Sequence, residues 1–225
     1  TFVDHQIGRV LDGLAECGLE ENTRVIYTSD HGDNVGARGM WGKSNMYEEA
    51  AGVPLILSGP DVEKGVVRQT PVSHLDFYQT IMECVGSSVT ETDLPGQSLY
   101  DVAAKGDDAK RPIFSEYHAG SSPTGGFMIR QGRFKLIYYI DFEPELFDLE
   151  SDPDERINLA ADPAHADTLK NLAKELRKIT NPEETDRRAK ADQAALVERH
   201  GGREAVVAKG GFGNSPAPGE KAVFT

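Results

Sequence analysis

Four side chains in this sequence stand where they could do chemistry: Asp30, His31, Lys43 and His118. Asp30 and His31 are adjacent and follow Val25-Ile26-Tyr27-Thr28, which reads as a short buried strand. A carboxylate and an imidazole are both good ligands for a divalent cation. The carboxyl end of a strand is also where ligand sites of α/β sheets collect. Gly32 would let the chain turn sharply and bring both side chains to one ion. The plainer reading of an isolated Asp-His-Gly is an ordinary turn, with Asp and Asn side chains bonding their own backbone. Lys43 comes thirteen residues after Asp30, beyond the glycine-rich stretch Gly36 to Gly42. An ammonium near a metal would add positive charge where an anionic group binds; its alternative is a solvated surface lysine. His118 precedes Gly-Ser-Ser-Pro-Thr-Gly, a polar loop from which an imidazole could reach a substrate. Its alternative is a plain surface histidine.

Other candidates read more simply. Trp41, the only tryptophan, packs beside such a site or fills core. His74 is the second residue of a helix start, because Ser73-His74-Leu75-Asp76 has capping-box form with Asp for the usual Glu. Glu48 and Glu49 open a helix or form a solvated pair. His5, His165 and His200 lie on helical stretches without convergent partners.

The elements that must position these residues follow from periodicity. Val3, Ile7, Val10, Leu11 and Leu14 share one helix face, and Gly18 is a suitable stop. Val53 to Leu57 is a second apolar strand, closed by Gly59-Pro60. Leu75, Tyr78, Ile81, Met82 and Val85 form another helix face, ended by Gly86. This order suggests part of an α/β sheet with helices on its faces. The middle of the chain changes character. Pro112 to Tyr117, Phe127 to Arg130, Arg133 to Ile140 and Glu145 to Leu149 read as successive strands, with a tight turn at Gln131-Gly132. Strands without intervening helices suggest a small antiparallel sheet. From Asp162, which can cap with Pro163 at the first helical position, the pattern is helical. Leu169, Leu172, Leu176 and Ile179 form its stripe. A further helix spans Glu184 to His200 and closes at Gly201-Gly202. From Gly210 the chain is a Gly/Pro-rich arm. The division is 1–108 for the α/β part, 109–160 for the antiparallel subdomain and 161–225 for the helices and tail.

Composition narrows the function classes. The chain has 225 residues, with 24 basic and 37 acidic side chains and a formal net charge of −13. The pI of about 4.9 argues against a general nucleic-acid binder, which needs a basic face to track phosphates. Mean hydropathy is −0.46, and no apolar run approaches the ~20 residues of a membrane helix. Cys17 and Cys84 sit in no paired metal motif and do not make a disulfide framework, so a reducing, cytoplasmic compartment is expected. Thr1 opens directly in a helical pattern, without Met or a signal segment.

Taken together, several of these segments resemble the sulfatase family of the alkaline phosphatase superfamily. Val25 to Asp33 resembles the family's metal-binding strand end. Gly42-Lys43-Ser44-Asn45-Met46-Tyr47-Glu48-Glu49-Ala50, followed by Val53-Pro54-Leu55, resembles its lysine segment and next strand. Ser73 to Thr80 resembles the helix after it. Leu146-Phe147-Asp148-Leu149-Glu150-Ser151-Asp152-Pro153-Asp154-Glu155, with Asn158-Leu159, resembles its C-terminal motif. The resemblance implies an alkaline-phosphatase-like α/β core followed by the small antiparallel subdomain. It implies Asp30 and His31 as ligands of a divalent metal, usually calcium, with manganese or magnesium as alternatives. It also implies Lys43 as a contact of the sulfate oxygens; the general acid of such a reaction would be His118, in contact with substrate, or a residue upstream of this chain. His31, where many sulfatases have Asn, resembles the branch with choline-sulfatase-type enzymes and phosphonate monoester hydrolases.

The family nucleophile is a formylglycine made in a Cys/Ser-x-Pro-x-Arg motif. Neither Cys17-Gly18-Leu19-Glu20 nor Cys84-Val85-Gly86-Ser87 fits it. The resemblance therefore implies the C-terminal part of a sulfatase, with the nucleophile and further carboxylate ligands in a missing N-terminal half. It implies weak metal binding and no turnover by this chain alone. The expected substrate is a small-molecule sulfate ester, with no nucleic-acid or membrane partner. The tail is either a loose end or an arm to a second copy of the chain. Two other readings stand beside this one: a phosphonate or phosphate ester hydrolase of the same superfamily, and a non-catalytic metal-binding or scaffolding module.

Overall fold

The computed structural model describes residues 1–87, 93–119 and 122–210. Most of the Gly/Pro-rich arm lies outside the described residues. Helix α1 (Phe2–Glu16) ends as its sequence predicts. Gly18 takes a left-handed φ of 67°, its N–H bonds the Ala15 carbonyl at 2.9 Å, and the Leu19 N–H bonds Leu14 at 3.2 Å. This is a Schellman stop, which satisfies carbonyls the helix leaves free. Gly86 ends α3 (Asp76–Cys84) in the same way, with Gly86 bonded to Glu83 and Ser87 to Met82. The capping box at its start also forms. The Asp76 carboxylate accepts from the Ser73 N–H at 2.9 Å, and the Ser73 hydroxyl accepts from the Leu75 N–H at 3.2 Å.

Strands β1 (Val25–Thr28) and β2 (Leu55–Ser58) pair antiparallel, with Val25 opposite Ser58 and Thr28 opposite Leu55. The excursion from Ser29 to Pro54 therefore leaves and returns at one end of this ladder. It contains the four-residue helix α2 (Glu48–Ala51). The apolar faces predicted for α1 and α3 are present but uncovered by any described element. Val3, Val10, Ile81 and Val85 are all exposed. Helix α4 (Leu99–Ala104) follows α3 and packs on it through buried Leu99, whose N–H bonds the Thr80 hydroxyl.

The four predicted strands form a meander in which each pairs antiparallel with the next: β3 (Pro112–Tyr117), β4 (Gly126–Gln131), β5 (Phe134–Tyr139) and β6 (Glu145–Asp148). Side chains alternate faces along a strand, and here both faces are covered. Phe127, Ile129, Leu136 and Leu146 pack on Leu172 and Leu176 of α5 (Ala166–Ile179). The intervening Met128, Ile137 and Phe147 pack on Met46, three residues after Lys43. The sheet thus seats the lysine segment directly. Helix α6 (Pro182–Arg199) matches the predicted helix and closes at Gly201-Gly202 as expected, but the chain does not stay irregular beyond it. The chain turns there at φ 94° and continues as α7 (Gly202–Ala208).

Candidate functional site

Asp30 and His31 occupy the end of β1, and Lys43 swings back to them from the far side of the excursion. The His31 Nδ1 lies 2.7 Å from the Gly32 carbonyl, so that nitrogen carries the proton and donates. The lone pair is therefore on Nε2, the tautomer needed for a ligand nitrogen. Nε2 faces the Asp30 Oδ2 at 3.3 Å and contacts the Lys43 Nζ. The three groups meet at one point on the surface. Asp30 is 84% exposed and His31 36% by side chain. Partial loss of water pushes the Asp30 carboxyl up. The His31 backbone N–H on its Oδ1 (3.0 Å) and the positive charge of Lys43 outweigh that and hold it below its ordinary value.

Gly32 serves this arrangement by close approach, not by a sharp turn. It does not have a positive φ; instead a Cβ there would lie 3.0 Å from the Glu49 carbonyl carbon and closer still to its oxygen. Its N–H bonds the Ala50 carbonyl at 2.9 Å. His31 is thereby fixed to the backbone of α2.

The lysine is presented by a tightly tied loop. Asp33 Oδ1 accepts from the N–H groups of Val35 (2.9 Å) and Gly42 (3.2 Å), and Asn34 bonds the Gly42 carbonyl from both its backbone and its side chain. The turn reading of the polar run thus holds for Asp33, which accepts from the Val35 N–H two residues on, whereas the Asn34 side chain ties to Gly42 eight residues away. Lys43 sits between two left-handed residues, Gly42 (φ 75°) and Ser44 (φ 92°). Such a conformation costs a non-glycine residue roughly 1–3 kcal/mol. The Tyr117 hydroxyl holds the Ser44 Oγ at 3.0 Å, and burial of Met46 anchors the loop beyond it.

These residues line a cleft of about 830 Å³ between the β1–β2 layer and the four-stranded sheet. Asp30, His31, Lys43, His74 and Tyr117 all face it. His118 does not. Its ring stands edge-on to Phe127 at 5.3 Å between centroids and against Gly125, and α6 covers it, with Gln193 bonded to its carbonyl. One residue further along the chain than Tyr117, it falls outside the cleft lining. Trp41 is 76% exposed and its ring lies beside Gly36, so it does not fill core.

Tyr117 and Ser44 were not singled out from the sequence. Only their meeting across 73 positions gives them a role, and no local spacing signals it. Glu48 is no solvated carboxylate either: it bonds the buried Lys135 Nζ at 2.8 Å.

Asp30 and His31 fit a divalent cation in part. They offer one carboxylate and one correctly protonated imidazole, and the Lys43 ammonium already places a positive charge on that lone pair. Among the described residues no three His, Cys, Asp or Glu side chains are grouped to hold a metal. No described helix is long and apolar enough to cross a membrane.

Comparison with known proteins bears on the same segments. The sulfatase family model matches residues 1–87, which include Asp30, His31 and Lys43. The choline-sulfatase of Rhizobium meliloti (strain 1021) is 36% identical over 167 residues, 72% of this chain and 32% of that protein. The chain belongs to the sulfatase family. Arylsulfatase K of Bos taurus is 33% identical over 189 residues, covering 79% of this chain and 34% of its own length. The chain thus spans about a third of the length of these sulfatases. The structure of BT4656 with its substrate D-glucosamine-2-N,6-O-disulfate superposes with a TM-score of 0.70 at 31% identity, over 84% of this chain and 39% of that one. The phosphonate monoester hydrolase of Agrobacterium radiobacter gives a TM-score of 0.64 at 27% identity, over 78% of this chain and 38% of its own. The fold is therefore alkaline-phosphatase-like, with the antiparallel sheet as its C-terminal part.

Proposed function

We propose that this chain carries part of the active site of a metal-dependent sulfuric ester hydrolase. The observation that carries the reading is the meeting of Asp30, His31 and Lys43 at one point of the cleft, in a sulfatase-family chain. The formylglycine nucleophile and further carboxylate ligands come, in this proposal, from residues beyond these 225. A divalent cation, calcium first among the candidates, would act there as Lewis acid and template for an ester oxygen. The chain's own residues do the rest of what is assigned to it. Asp30 supplies charge, and His31 supplies an Nε2 whose direction is set by the Gly32 carbonyl. Lys43 places its ammonium against the anionic group and neutralises charge that builds on the equatorial oxygens. His118 takes no part.

The test is turnover of the full-length protein on aryl sulfate and aryl phosphonate esters, before and after Lys43→Ala. Sulfate ester hydrolysis that falls by about 10²-fold or more in the variant supports the reading. Near-normal turnover in the variant removes Lys43 from the site. The second reading, a phosphonate or phosphate ester hydrolase, rests on the Agrobacterium radiobacter neighbour and on the fact that an ammonium serves phosphoryl oxygens equally well. Preference for the phosphonate ester would select it. Hydrolysis of neither ester would favour a binding module.

A further inference from the structure

Behind the lysine loop lies a set of charges that the proposed reaction does not use. Lys135 on β5 and Glu155 in the loop after β6 have no exposed side-chain surface. Their Nζ and Oε1 are 2.8 Å apart, and the same Nζ bonds the Glu48 Oε1 at 2.8 Å. The other Glu155 oxygen accepts from the Glu48 backbone N–H at 2.7 Å and lies 3.5 Å from the Arg38 guanidinium. Arg38 in turn bonds the Asp154 carbonyl and the Glu49 carboxylate, and its guanidinium stacks on the Tyr47 ring at 4.2 Å. Arg130 stands 3.6 Å from Glu48. Three cations and three carboxylates interlock.

Burying such charges is costly unless they are well paired, and apolar residues of similar volume often serve stability as well. The site needs what apolar residues cannot supply, which is a directed grip. The grip closes on both ends of the segment that carries Lys43. Arg38 lies five residues before the lysine and Glu48 five residues after it. It also reaches His31, because Gly32 is bonded to Ala50 and pressed against Glu49. Helix α2 is thus the common base of the imidazole and the ammonium. Glu155 holds the first N–H of that helix, from a left-handed backbone (φ 51°) unusual for glutamate.

We propose that Glu155 is a positioning residue: by holding α2 it sets His31 and Lys43 relative to each other, with Lys135 as its counter-ion. The proposal rests on the reading of Asp30, His31 and Lys43 as the working site. Glu155, in the Asp152-Pro153-Asp154-Glu155 run of the C-terminal motif, does not line the cleft, so its action on the site passes through α2.

The experiment uses the full-length protein with Glu155→Asp and with the paired change Lys135→Met and Glu155→Leu. The pair removes both buried charges and the acceptor for the Glu48 N–H, and keeps the apolar volume. Hydrogen exchange reports the geometry without reference to activity. The expected result is a folded double variant in which amides of residues 32–51, Gly32 among them, lose about tenfold or more of their protection, while the β4–β5 ladder stays within about threefold. Turnover on the preferred ester should fall by about 10²-fold, mostly in kcat, because misplacement by about 1 Å is enough for that. Glu155→Asp, which keeps the charge, should recover part of the protection and of kcat together. Unchanged protection of residues 32–51 in the folded double variant overturns the proposal, as does a loss spread evenly over the sheet. If the parent protein hydrolyses no ester, the functional reading fails while hydrogen exchange still decides whether Glu155 holds the loop.

Discussion

Replacing Gly32 with Ala tests the geometry of the site with one methyl group. The added Cβ would stand 3.0 Å from the Glu49 carbonyl carbon and nearer its oxygen. Relaxed carbon–carbon contacts lie at about 3.5–4.0 Å, so the β1 end and α2 must separate by about 1 Å. That breaks the Gly32 N–H bond to Ala50, now 2.9 Å, at a cost of about 1 kcal/mol. Overpacking adds roughly 1–3 kcal/mol. The total is about 2–4 kcal/mol, and His31 is carried off by a similar 1 Å, enough for about a 10²-fold loss of turnover. Urea unfolding and steady-state kinetics of the full-length protein measure both. The control is Gly8→Ala in α1, where a Cβ meets nothing within 4 Å. There the same substitution should stabilise by about 0.5–1 kcal/mol. Wild-type stability and turnover in Gly32→Ala would refute the close-approach argument. A loss of stability with turnover intact would show that His31 does not depend on α2.

Lys135→Met should destabilise by about 3–5 kcal/mol at pH 7.5, because Glu155 and Glu48 lose their shared cation. Burial already pushes the Glu155 carboxyl up against the pull of Lys135, so without the lysine its folded pKa rises further. The deficit is then relieved as pH falls through that raised pKa, and unfolding curves at pH 7.5 and 5 should converge on wild type at the lower pH. A deficit independent of pH would reject the ionic account. Asp148, held by the Arg133 guanidinium and the Ser151 hydroxyl, has its carboxyl lowered to about 2. Its contribution is present above the unfolded value near 4 and lost as pH falls toward 2, so Asp148→Asn should remove roughly 2 kcal/mol of that acid dependence. His118 has neither ring nitrogen hydrogen-bonded and packs on Phe127. His118→Phe should keep turnover within about threefold, whereas loss of a general acid would cost about 10²–10⁴-fold.

The sequence by itself determined the parts of this protein that depend on near neighbours. The meander β3 to β6 was readable from short apolar, aromatic and β-branched runs separated by a turn signal at Gln131-Gly132, since a strand buried on both faces needs apolar side chains at successive positions. The stops at Gly18 and Gly86 were readable because only glycine takes a left-handed turn cheaply. The cap at Asp162, which accepts from the Ala164 N–H, and the box at Ser73 to Asp76 were readable for the same local reason. Asp30 and His31 could be named as partners because they are adjacent at a strand end. The continuation into α7 was missed because Gly201-Gly202 carries the same signal whether the chain stops or merely bends.

Tertiary structure alone decided the contacts that turn these residues into a site. Lys43 reaches His31 because the excursion from Ser29 to Pro54 returns to the end it left, a consequence of antiparallel pairing between β1 and β2. Gly32 matters because a helix backbone presses on it, which no spacing reveals. Lys135, Glu48 and Glu155 meet from positions 87 and 107 residues apart. His118 leaves the cleft while its neighbour Tyr117 lines it. Local backbone preferences are set within a few residues and are written in the order of side chains. Burial, ion pairing and close approach are set by which distant surfaces the folded chain brings into contact.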